Sequence, residues 1–359
     1  MVKTTYAVAP GEFLAEWLEE QGMSQGELAR RMDVSAKHVS SLINGGSLTA
    51  ETAVKLERVT GSSAQYWLRL EAQHRADLIR LTEAKTLESE DLTFLKNVPC
   101  KELRKRGFLS ATLANRPQLV QELMSFFRAG SVFALQERIR LPQAAYRQGQ
   151  LTDSKEPIVA TWLRLGELDV DQQEPLPQFS SDALRALIPE IRSLTRQPPS
   201  HFGAALVSRL GTAGVHLVYV QDIPGSATYG ATWWKNENPV IQLSLRQKDD
   251  GQFWFTLFHE IGHVLLHAKR HRLFVDLKNG ADSGAAEAEA DRFACEVLIP
   301  KEHEHRLVSN MSLAAISDFA QEIGVSPGVV VGRLQHDRKI GFHVGNRLKI
   351  QLAISEDDD

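Results

Sequence analysis

The feature of this sequence that most constrains its fold is a pair of histidines one helical turn apart, His259 and His263, with Glu260 beside the first. Residues i and i+4 share one face of a helix, so both imidazoles can ligate one Zn²⁺. The flanking residues are strongly apolar and predict a buried helix, which holds metal ligands in fixed rotamers. A motif with three fixed positions also arises by chance, so the zinc interpretation needs a third ligand.

A second predicted helix follows His263 by 24 residues, beginning at Glu287 and stopping at Pro300. It is rich in alanine, and its apolar residues recur at helical spacing. Glu287 and Asp291 are four residues apart and therefore project from one face. Glu287 can complete a His₂Glu zinc site, while Asp291 accepts the spare N–H of a ligand imidazole and fixes its tautomer.

Two alternatives stay open on this second helix. Glu289 lies about 200° round the helix from Glu287, so only one of the two can face the zinc. Glu287 is favoured because it alone has an acidic partner one turn later. The other alternative is an amphipathic helix whose acids are all solvated, which is the usual position of such residues.

Three protein ligands leave a fourth zinc position for water, whose pKa falls to about 7 in such sites. Glu260 is then the expected general base for attack on a carbonyl. A metzincin is excluded, because Leu266 and Lys269 stand where that class requires glycine and histidine. His267, one turn beyond His263, is expected to support a ligand or face solvent, since successive i+4 steps drift round a helix.

Two predicted strands precede the zinc helix. Residues 239–246 alternate apolar and polar side chains, which indicates a half-buried strand. As an edge strand it would pair with an extended substrate, and a purely structural strand is an equal alternative. Residues 215–220 are almost all apolar or aromatic and predict a central strand. Tyr229, His336 and His343 are candidate donors to an oxyanion, although packing or surface roles are favoured for each.

The amino-terminal region, residues 11–70, reads as five short helices. Ser24 with Glu27 forms a capping box that opens the second helix. The third runs over Ala36–Ile43 after a tight turn and stops at Asn44 and two glycines. This is the helix-turn-helix pattern, with a plain helical bundle as the alternative. The candidate DNA-binding residues lie on the third helix: Ala36, Lys37, His38, Ser40 and Ser41.

The charge of this region argues against strong electrostatic affinity for DNA. Residues 11–70 hold six Lys and Arg against eight Asp and Glu, a net of −2, whereas DNA-binding domains are usually basic. Arg30, Arg31 and Lys37 remain available for local phosphate contacts. We therefore expect specific binding by a homodimer, which doubles every contact.

Both parts of the chain resemble known families. The segments Met23-Ser24-Gln25-Gly26-Glu27-Leu28-Ala29 and Ile43-Asn44-Gly45-Gly46 resemble the helix-turn-helix of HigA-type antitoxins. The segments Phe255-Thr256-Leu257-Phe258-His259-Glu260-Ile261-Gly262-His263 and Glu287-x-x-Ala290-Asp291-x-Phe293-Ala294 resemble the ImmA/IrrE family of metallo-endopeptidases. The two resemblances together cover most of the chain.

The ImmA/IrrE resemblance implies a zinc-dependent peptidase that acts on a repressor protein, here joined to its own DNA-binding domain. The same resemblance implies that the zinc ligands are His259, His263 and Glu287, and that Glu260 is the general base. The HigA resemblance instead implies autoregulation at an operator and a toxin partner. A non-catalytic antitoxin whose peptidase fold senses or scaffolds is therefore the alternative. Retention of Glu260, which a structural zinc site does not need, favours the enzyme.

The predicted fold class is mainly α with a small β-sheet, an α+β arrangement with a zincin-like peptidase. Residues 1–75 form the helix-turn-helix domain and residues 76–180 a helical linker, with a candidate hinge at 171–177. Residues 181–300 form the peptidase domain. Residues 301–359 form a helical module with an acidic tail, its helices predicted over 313–323 and 327–335.

Composition predicts a cytoplasmic protein that does not enter a membrane. The 359 residues carry a formal charge of −4, which gives no general affinity for polyanions. The two cysteines, Cys100 and Cys295, form no CxxC pair, so neither a disulfide framework nor a thiolate zinc site is indicated. The amino terminus lacks an apolar signal region, and no run of 18 apolar residues occurs.

Overall fold

The computed structural model describes residues 6–89, 92–140, 155–244, 246, 249–267, 273–277 and 285–352. Lys269 and the acidic tail at 356–359 lie outside the described residues. The chain divides into two compact units, Met1–Leu92 with Ser110–Glu122 and Thr93–Leu109 with Leu123–Asp359. The functional boundaries at residues 75, 180 and 300 stay predictions.

The first unit begins with a run of helices close to those predicted. They are α1 (Pro10–Glu20), α2 (Gln25–Met32), α3 (Ala36–Ile43), α4 (Ala50–Thr60) and α5 (Ala64–Ser89). The fifth is 26 residues long rather than short. It continues past the expected end near Leu70 because no glycine or proline interrupts the sequence between residues 64 and 89.

Local capping explains where the helices of this unit begin. The Ser24 and Ser35 hydroxyls accept hydrogen bonds from the backbone N–H groups three residues later, which start α2 and α3. Asp33, at φ 52°, ends α2 in the left-handed region and makes the tight turn. The Glu27 carboxylate accepts from Arg30 and Arg31 instead of completing the predicted capping box.

The core of the first unit closes over the inner faces of these helices. Its buried residues are Leu14, Leu18, Leu28, Ala29, Met32, Val39, Leu42, Leu48, Ala53, Leu56 and Trp67. A Cβ on Gly11 would lie 2.1 Å from the carbonyl oxygen of Leu42, so glycine is what allows α1 to pack directly on α3. This contact fixes the third helix against the rest of the bundle.

The second unit contains helices and a four-stranded sheet, with α7 beginning in the first unit at Arg116. Its elements are α6 (Cys100–Lys105), α7 (Arg116–Phe126), α8 (Val132–Ile139), α9 (Glu156–Gln172), α10 (Ser181–Ser193), α11 (Pro199–Thr212), β1 (His216–Tyr219), β2 (Thr228–Lys235), β3 (Asn238–Leu243), α12 (Asp250–Leu266), β4 (Phe274–Leu277), α13 (Ala285–Leu298), α14 (Leu313–Ile323) and α15 (Pro327–His336). The mainly helical fold class with a small sheet is confirmed.

The order of strands in the sheet decides between the two alternatives for residues 239–246 and contradicts the prediction for residues 215–220. The strands are arranged β1-β3-β2-β4, with β1 parallel to β3 and the other neighbours antiparallel. The segment predicted over 239–246 is β3, which ends at Leu243 and is paired on both sides. It therefore offers no free edge to a substrate. The segment predicted as central, 215–220, is β1 and lies at one edge of the described sheet.

A buried amide explains why the alternating pattern of β3 was misleading. Gln242 is fully buried, and its side chain donates to the carbonyl of Trp162 at 2.7 Å and accepts from the Trp233 indole at 3.2 Å. A polar side chain that is hydrogen-bonded in this way tolerates burial. Both faces of β3 are consequently covered.

The candidate hinge at 171–177 is held within the second unit and so does not separate the two units. Asp171 forms an ion pair with Lys235 at 2.8 Å. Gln173 Oε1 lies 2.8 Å from His216 Nδ1, and the carbonyl of Pro177 accepts from Asn238 at 2.7 Å. Helix α9 ends at Gln172, and Pro175, two residues after its C-cap, prevents the helix from continuing.

Helix α12 is the centre of the second unit, and its amino terminus is held by two later segments. Ser326 donates to the Asp250 carboxylate at 2.7 Å, and the backbone N–H of Ile350 donates to it at 2.9 Å. Burial raises the pKa of Asp250 above its ordinary value. The helices α14 and α15, predicted over 313–323 and 327–335, agree with the structure to within one residue.

Candidate metal centre and helix-turn-helix surface

Three predicted metal ligands converge in the second unit. The Nε2 atoms of His259 and His263 are 3.0 Å apart. The Glu287 oxygens lie 3.1 Å from Nε2 of His259 and 3.4 Å from Nε2 of His263. All three side chains are buried, and their ligand atoms lie within 4.8 Å of one another. Among the described residues this is the group of donors that suits a metal ion.

The dimensions of this donor triangle fit Zn²⁺. Ligands about 2.0–2.1 Å from a tetrahedral zinc are about 3.3–3.4 Å from each other, close to the three separations observed. Burial lowers the pKa of His263 below its ordinary value, which keeps the imidazole neutral as a ligand must be. Burial raises the pKa of Glu287, but the close contacts with both imidazoles outweigh it and hold that pKa well below the ordinary value.

A glycine within the histidine motif brings the two ligand helices together. A Cβ on Gly262 would lie 3.1 Å from Cα of Ala290 and 3.2 Å from the Phe293 ring, both on α13. Helices can approach this closely only where one of them lacks a side chain. The separation of α12 and α13 decides whether Glu287 reaches the histidines, so Gly262 sets the geometry of the site.

We expect Gly262→Val to lower the free energy of unfolding by about 1–3 kcal/mol through overpacking. It should also weaken Zn²⁺ binding, since α13 and Glu287 must move outward. Urea denaturation and a competitive zinc titration measure the two effects. Gly203→Val is the matched control, because nothing lies within 4 Å of a Cβ at that helical glycine. Equal zinc affinity in both variants would contradict this role of Gly262.

The Nδ1 atoms of His259 and His263, which face away from the donor triangle, each have a hydrogen-bonding partner. Nδ1 of His259 lies 2.8 Å from Asp291 Oδ1, the arrangement anticipated from the sequence. Nδ1 of His263 lies 3.2 Å from Nδ1 of His267. His267 therefore lies against a predicted ligand and does not face solvent. Glu289 points away from the triangle and contacts His267 instead.

Glu260 is enclosed by strand β2. The residue is fully buried, and its Oε2 accepts a hydrogen bond from the Thr232 hydroxyl at 2.6 Å. A Cβ on Gly230, two residues earlier on the same face of β2, would lie 2.5 Å from Glu260 Oε1. Gly230 therefore makes room for the carboxylate, and Thr232 orients it.

Several of these residues were not identified from the sequence. Thr232 and Gly230 alternate on one face of β2, but only the packing of the strand on α12 relates them to Glu260. Phe274 of β4 was also missed: its ring stacks on His263 at 4.2 Å with an angle of 16°. No local pattern marks these positions, because each acts through a contact distant in sequence.

The candidate oxyanion donors lie in different surroundings. His343 is exposed. His336 lies 5.5 Å from the Phe255 ring, and its Nδ1 is 3.2 Å from the Asp337 carboxylate. Tyr229 lies on β2 and is partly buried. The structure does not single out one of them, and the packing or surface roles favoured from sequence stay predictions.

The five residues predicted to bind DNA are not equally accessible on α3. Ala36, Lys37 and Ser41 are exposed. His38 is half-buried, with Nε2 3.2 Å from the Thr52 hydroxyl. Ser40 is also half-buried, and its carbonyl accepts from the Asn44 side chain at 2.8 Å. Lys37 and Ser41 are therefore the side chains best placed to reach a ligand.

The chain matches two family models. Residues 14–67 match the helix-turn-helix model HTH_3, and residues 213–335 match Peptidase_M78, described as the IrrE N-terminal-like domain. The first match contains α2 and α3, and the second contains all three residues of the donor triangle. None of the helices in the described ranges is both long and apolar enough to cross a membrane.

The amino-terminal part of the chain, which contains the helix-turn-helix match, is also similar to individual proteins. Antitoxin HigA-1 of Vibrio cholerae is 44% identical over 72 residues, covering 20% of this chain and 67% of that protein. An HTH-type transcriptional regulator of Escherichia coli K12 is 40% identical over 80 residues, 20% of this chain and 85% of that protein. Antitoxin HigA of Pseudomonas aeruginosa, solved with the higBA promoter, is 31% identical, covers 24% of this chain and 95% of that one, and gives a TM-score of 0.22.

These matches cover residues 14–67 and 213–335, which contain the helix-turn-helix residues and the donor triangle described above. The amino-terminal domain is related along most of its length to the two curated proteins. The carboxyl-terminal match includes the histidine motif and the acidic helix that follows it. The chain belongs, by its amino-terminal domain, to the HigA-type helix-turn-helix family, and it joins to that domain a Peptidase_M78 domain.

Proposed function

We propose that this chain is a DNA-binding regulator whose second unit is a zinc-dependent endopeptidase, cleaving a repressor-like protein or the chain itself. The observation that carries the enzymatic part is the buried triangle of His259, His263 and Glu287, with a buried carboxylate at the neighbouring position Glu260. A structural zinc site does not need that carboxylate, whereas hydrolysis needs a base.

The residues of the chain have separable tasks in this proposal. His259, His263 and Glu287 hold the metal. A Zn²⁺ ion with three such ligands acts as a Lewis acid and lowers the pKa of water to about 7. Glu260 takes the proton of the attacking water and returns it to the leaving amine. The Thr232 hydroxyl donates a hydrogen bond to Oε2 of Glu260 at 2.6 Å, which orients the carboxylate for this proton transfer.

A second candidate function is a non-catalytic antitoxin in which the peptidase fold senses or scaffolds. The burial of the site favours this alternative: His259, His263, Glu260 and Glu287 are all exposed by 7% or less. A peptide must reach the metal, so an enzyme with this site has to open. A sensor needs access only for an ion.

The two candidates are distinguished by a cleavage experiment. The chain is purified with zinc and incubated with each protein encoded by its neighbouring genes, with and without a chelator. Mass spectrometry identifies new chain ends. Cleavage that requires zinc supports the endopeptidase. Absence of zinc-dependent cleavage in all neighbour-encoded proteins and in the chain itself contradicts it and favours the sensor or scaffold.

For the first unit, we propose binding to the operator of its own or a neighbouring gene, as a homodimer. Support comes from the helix-turn-helix match and from relatives named as an antitoxin and a transcriptional regulator. A toxin partner is proposed on the same similarity. Because Glu27 already binds Arg30 and Arg31, phosphate contacts by these arginines must compete with that carboxylate.

We expect the double substitution Lys37→Ala with Ser41→Ala to weaken binding to the chain's own promoter about tenfold and to reduce the salt dependence of the affinity. Zinc content should not change, because both residues lie outside the second unit. A gel-shift titration at two salt concentrations measures the effect. Lys301→Ala, an exposed lysine outside the helix-turn-helix, is the control. Unchanged promoter affinity in the double variant would show that α3 does not contact DNA through these residues and would leave it a packing role.

A further inference from the structure

A chain of hydrogen bonds leads from the ligand His263 to the surface. Nδ1 of His263 lies 3.2 Å from Nδ1 of His267, and Nε2 of His267 lies 3.0 Å from the Glu289 carboxylate. The His267 side chain is 10% exposed and that of Glu289 is 52% exposed. The connection therefore begins at a carboxylate in contact with water and ends at the metal triangle.

With His267 neutral, the donors and acceptors of these groups fix the position of each proton in this series of hydrogen bonds. The Glu289 carboxylate is only an acceptor, so His267 must donate its Nε2–H. A neutral His267 then has a lone pair on Nδ1, and His263 donates its Nδ1–H to it. His263 in turn has its lone pair on Nε2, the atom that faces the metal triangle.

We propose that Glu289 and His267 form a tautomer lock for His263, presenting its Nε2 lone pair to the metal. Both are positioning residues, since neither touches the metal or a substrate. The inference rests on the metal site of the proposed function and adds to it the residues that tune metal affinity. It also gives a task to Glu289, the acid that faces away from the donor triangle.

The two ligand imidazoles are thus locked by different means. His259 reaches a carboxylate directly, through Asp291 at 2.8 Å. On its Nδ1 side, His263 reaches a carboxylate through a second imidazole, that of His267. Phe274 stacks on the face of His263 and restricts rotation of the ring, but an aromatic face does not select a tautomer. The selection for His263 is therefore left to His267 and Glu289.

A simpler role for the pair is to tie the end of α12 to α13. The two roles make different demands on residue 267. If residue 267 only links α12 to α13, a side chain of similar volume is sufficient. If it selects the tautomer of His263, it must offer a hydrogen-bond acceptor at the position of Nδ1. The side-chain oxygen of asparagine occupies that position, and leucine fills a similar volume without an acceptor. His267→Asn and His267→Leu therefore separate the two roles.

The experiment is a competition titration of the full chain with Zn²⁺ against a chromophoric chelator. We expect His267→Leu to bind zinc about 10–100-fold more weakly than wild type, the usual effect of removing such a partner. His267→Asn should recover most of the affinity. Glu289→Ala should lose several-fold, whereas Glu296→Gln, which removes the charge of an exposed glutamate on the same helix, should match wild type.

A second measurement reports the tautomer itself. In zinc-loaded chain with ¹⁵N-labelled histidine, the Nδ1–H proton of His263 should be visible in wild type and His267→Asn. It should be lost to exchange in His267→Leu. Zinc affinity in His267→Leu equal to that of Glu296→Gln would overturn the lock, as would equal losses in the leucine and asparagine variants. A wild-type chain that binds no zinc would instead overturn the proposed function itself.

Discussion

His263→Ala is expected to purify without metal, whereas the wild-type chain holds about one Zn²⁺. The substitution removes one of three protein donors and leaves a cavity beside Glu287. Two donors cannot retain the ion against a chelator, because His259 and Glu287 then leave half of the coordination sphere to solvent. Elemental analysis of dialysed protein gives the metal content directly.

The control is His201→Ala, which removes an exposed histidine from α11 and should leave the zinc content unchanged. Stoichiometric zinc in His263→Ala would contradict the assignment of His263 as a zinc ligand. Zinc should also stabilise the wild-type fold, by about 4 kcal/mol when free zinc is 1,000 times its dissociation constant. His263→Ala should show no zinc-dependent shift in the melting temperature.

Glu260→Gln is expected to keep the zinc and the fold while abolishing cleavage. The glutamine has the same shape, and its oxygen can still accept the hydrogen bond that Thr232 gives to Glu260. Its amide cannot accept a proton, so base catalysis is lost at a cost of about 10²-fold or more in rate. Product formed from the substrate identified among neighbouring gene products, followed on a gel, measures the loss.

Zinc content and melting temperature of Glu260→Gln must equal those of wild type for this interpretation to hold. Glu296→Gln serves again as the charge-matched control and should cleave at the wild-type rate. Equal cleavage by wild type and Glu260→Gln would refute the general-base role, even if His263→Ala behaves as expected. The two substitutions therefore test metal binding and catalysis separately.

The helices of the site and of the first unit were largely predictable because their signals are local. Ser24 begins α2, and Pro300 follows the end of α13, as expected from capping and helix-breaking. The four-residue spacing of His259 and His263, and of Glu287 and Asp291, already defines which side chains share a face. These patterns need no knowledge of what lies across the core.

The sheet was not predictable to the same degree, because strand order depends on pairing between distant segments. Gln242 looked like an outward residue of a half-buried strand, but its amide is satisfied by Trp162 and Trp233 inside the fold. The environment of Glu260 was hidden for the same reason. Thr232 lies 28 residues before it and meets it only when β2 packs on α12.

During synthesis, the amino terminus of α12 emerges long before the residue that completes its hydrogen bonds. Asp250 at its amino terminus is completed by the backbone of Ile350, which follows it by 100 residues. At about 5–20 residues per second, the ribosome needs about 5–20 s to make the intervening chain. During that interval a carboxylate destined for burial lacks one of its donors. A nascent chain therefore completes the helix-turn-helix long before it can assemble the metal centre.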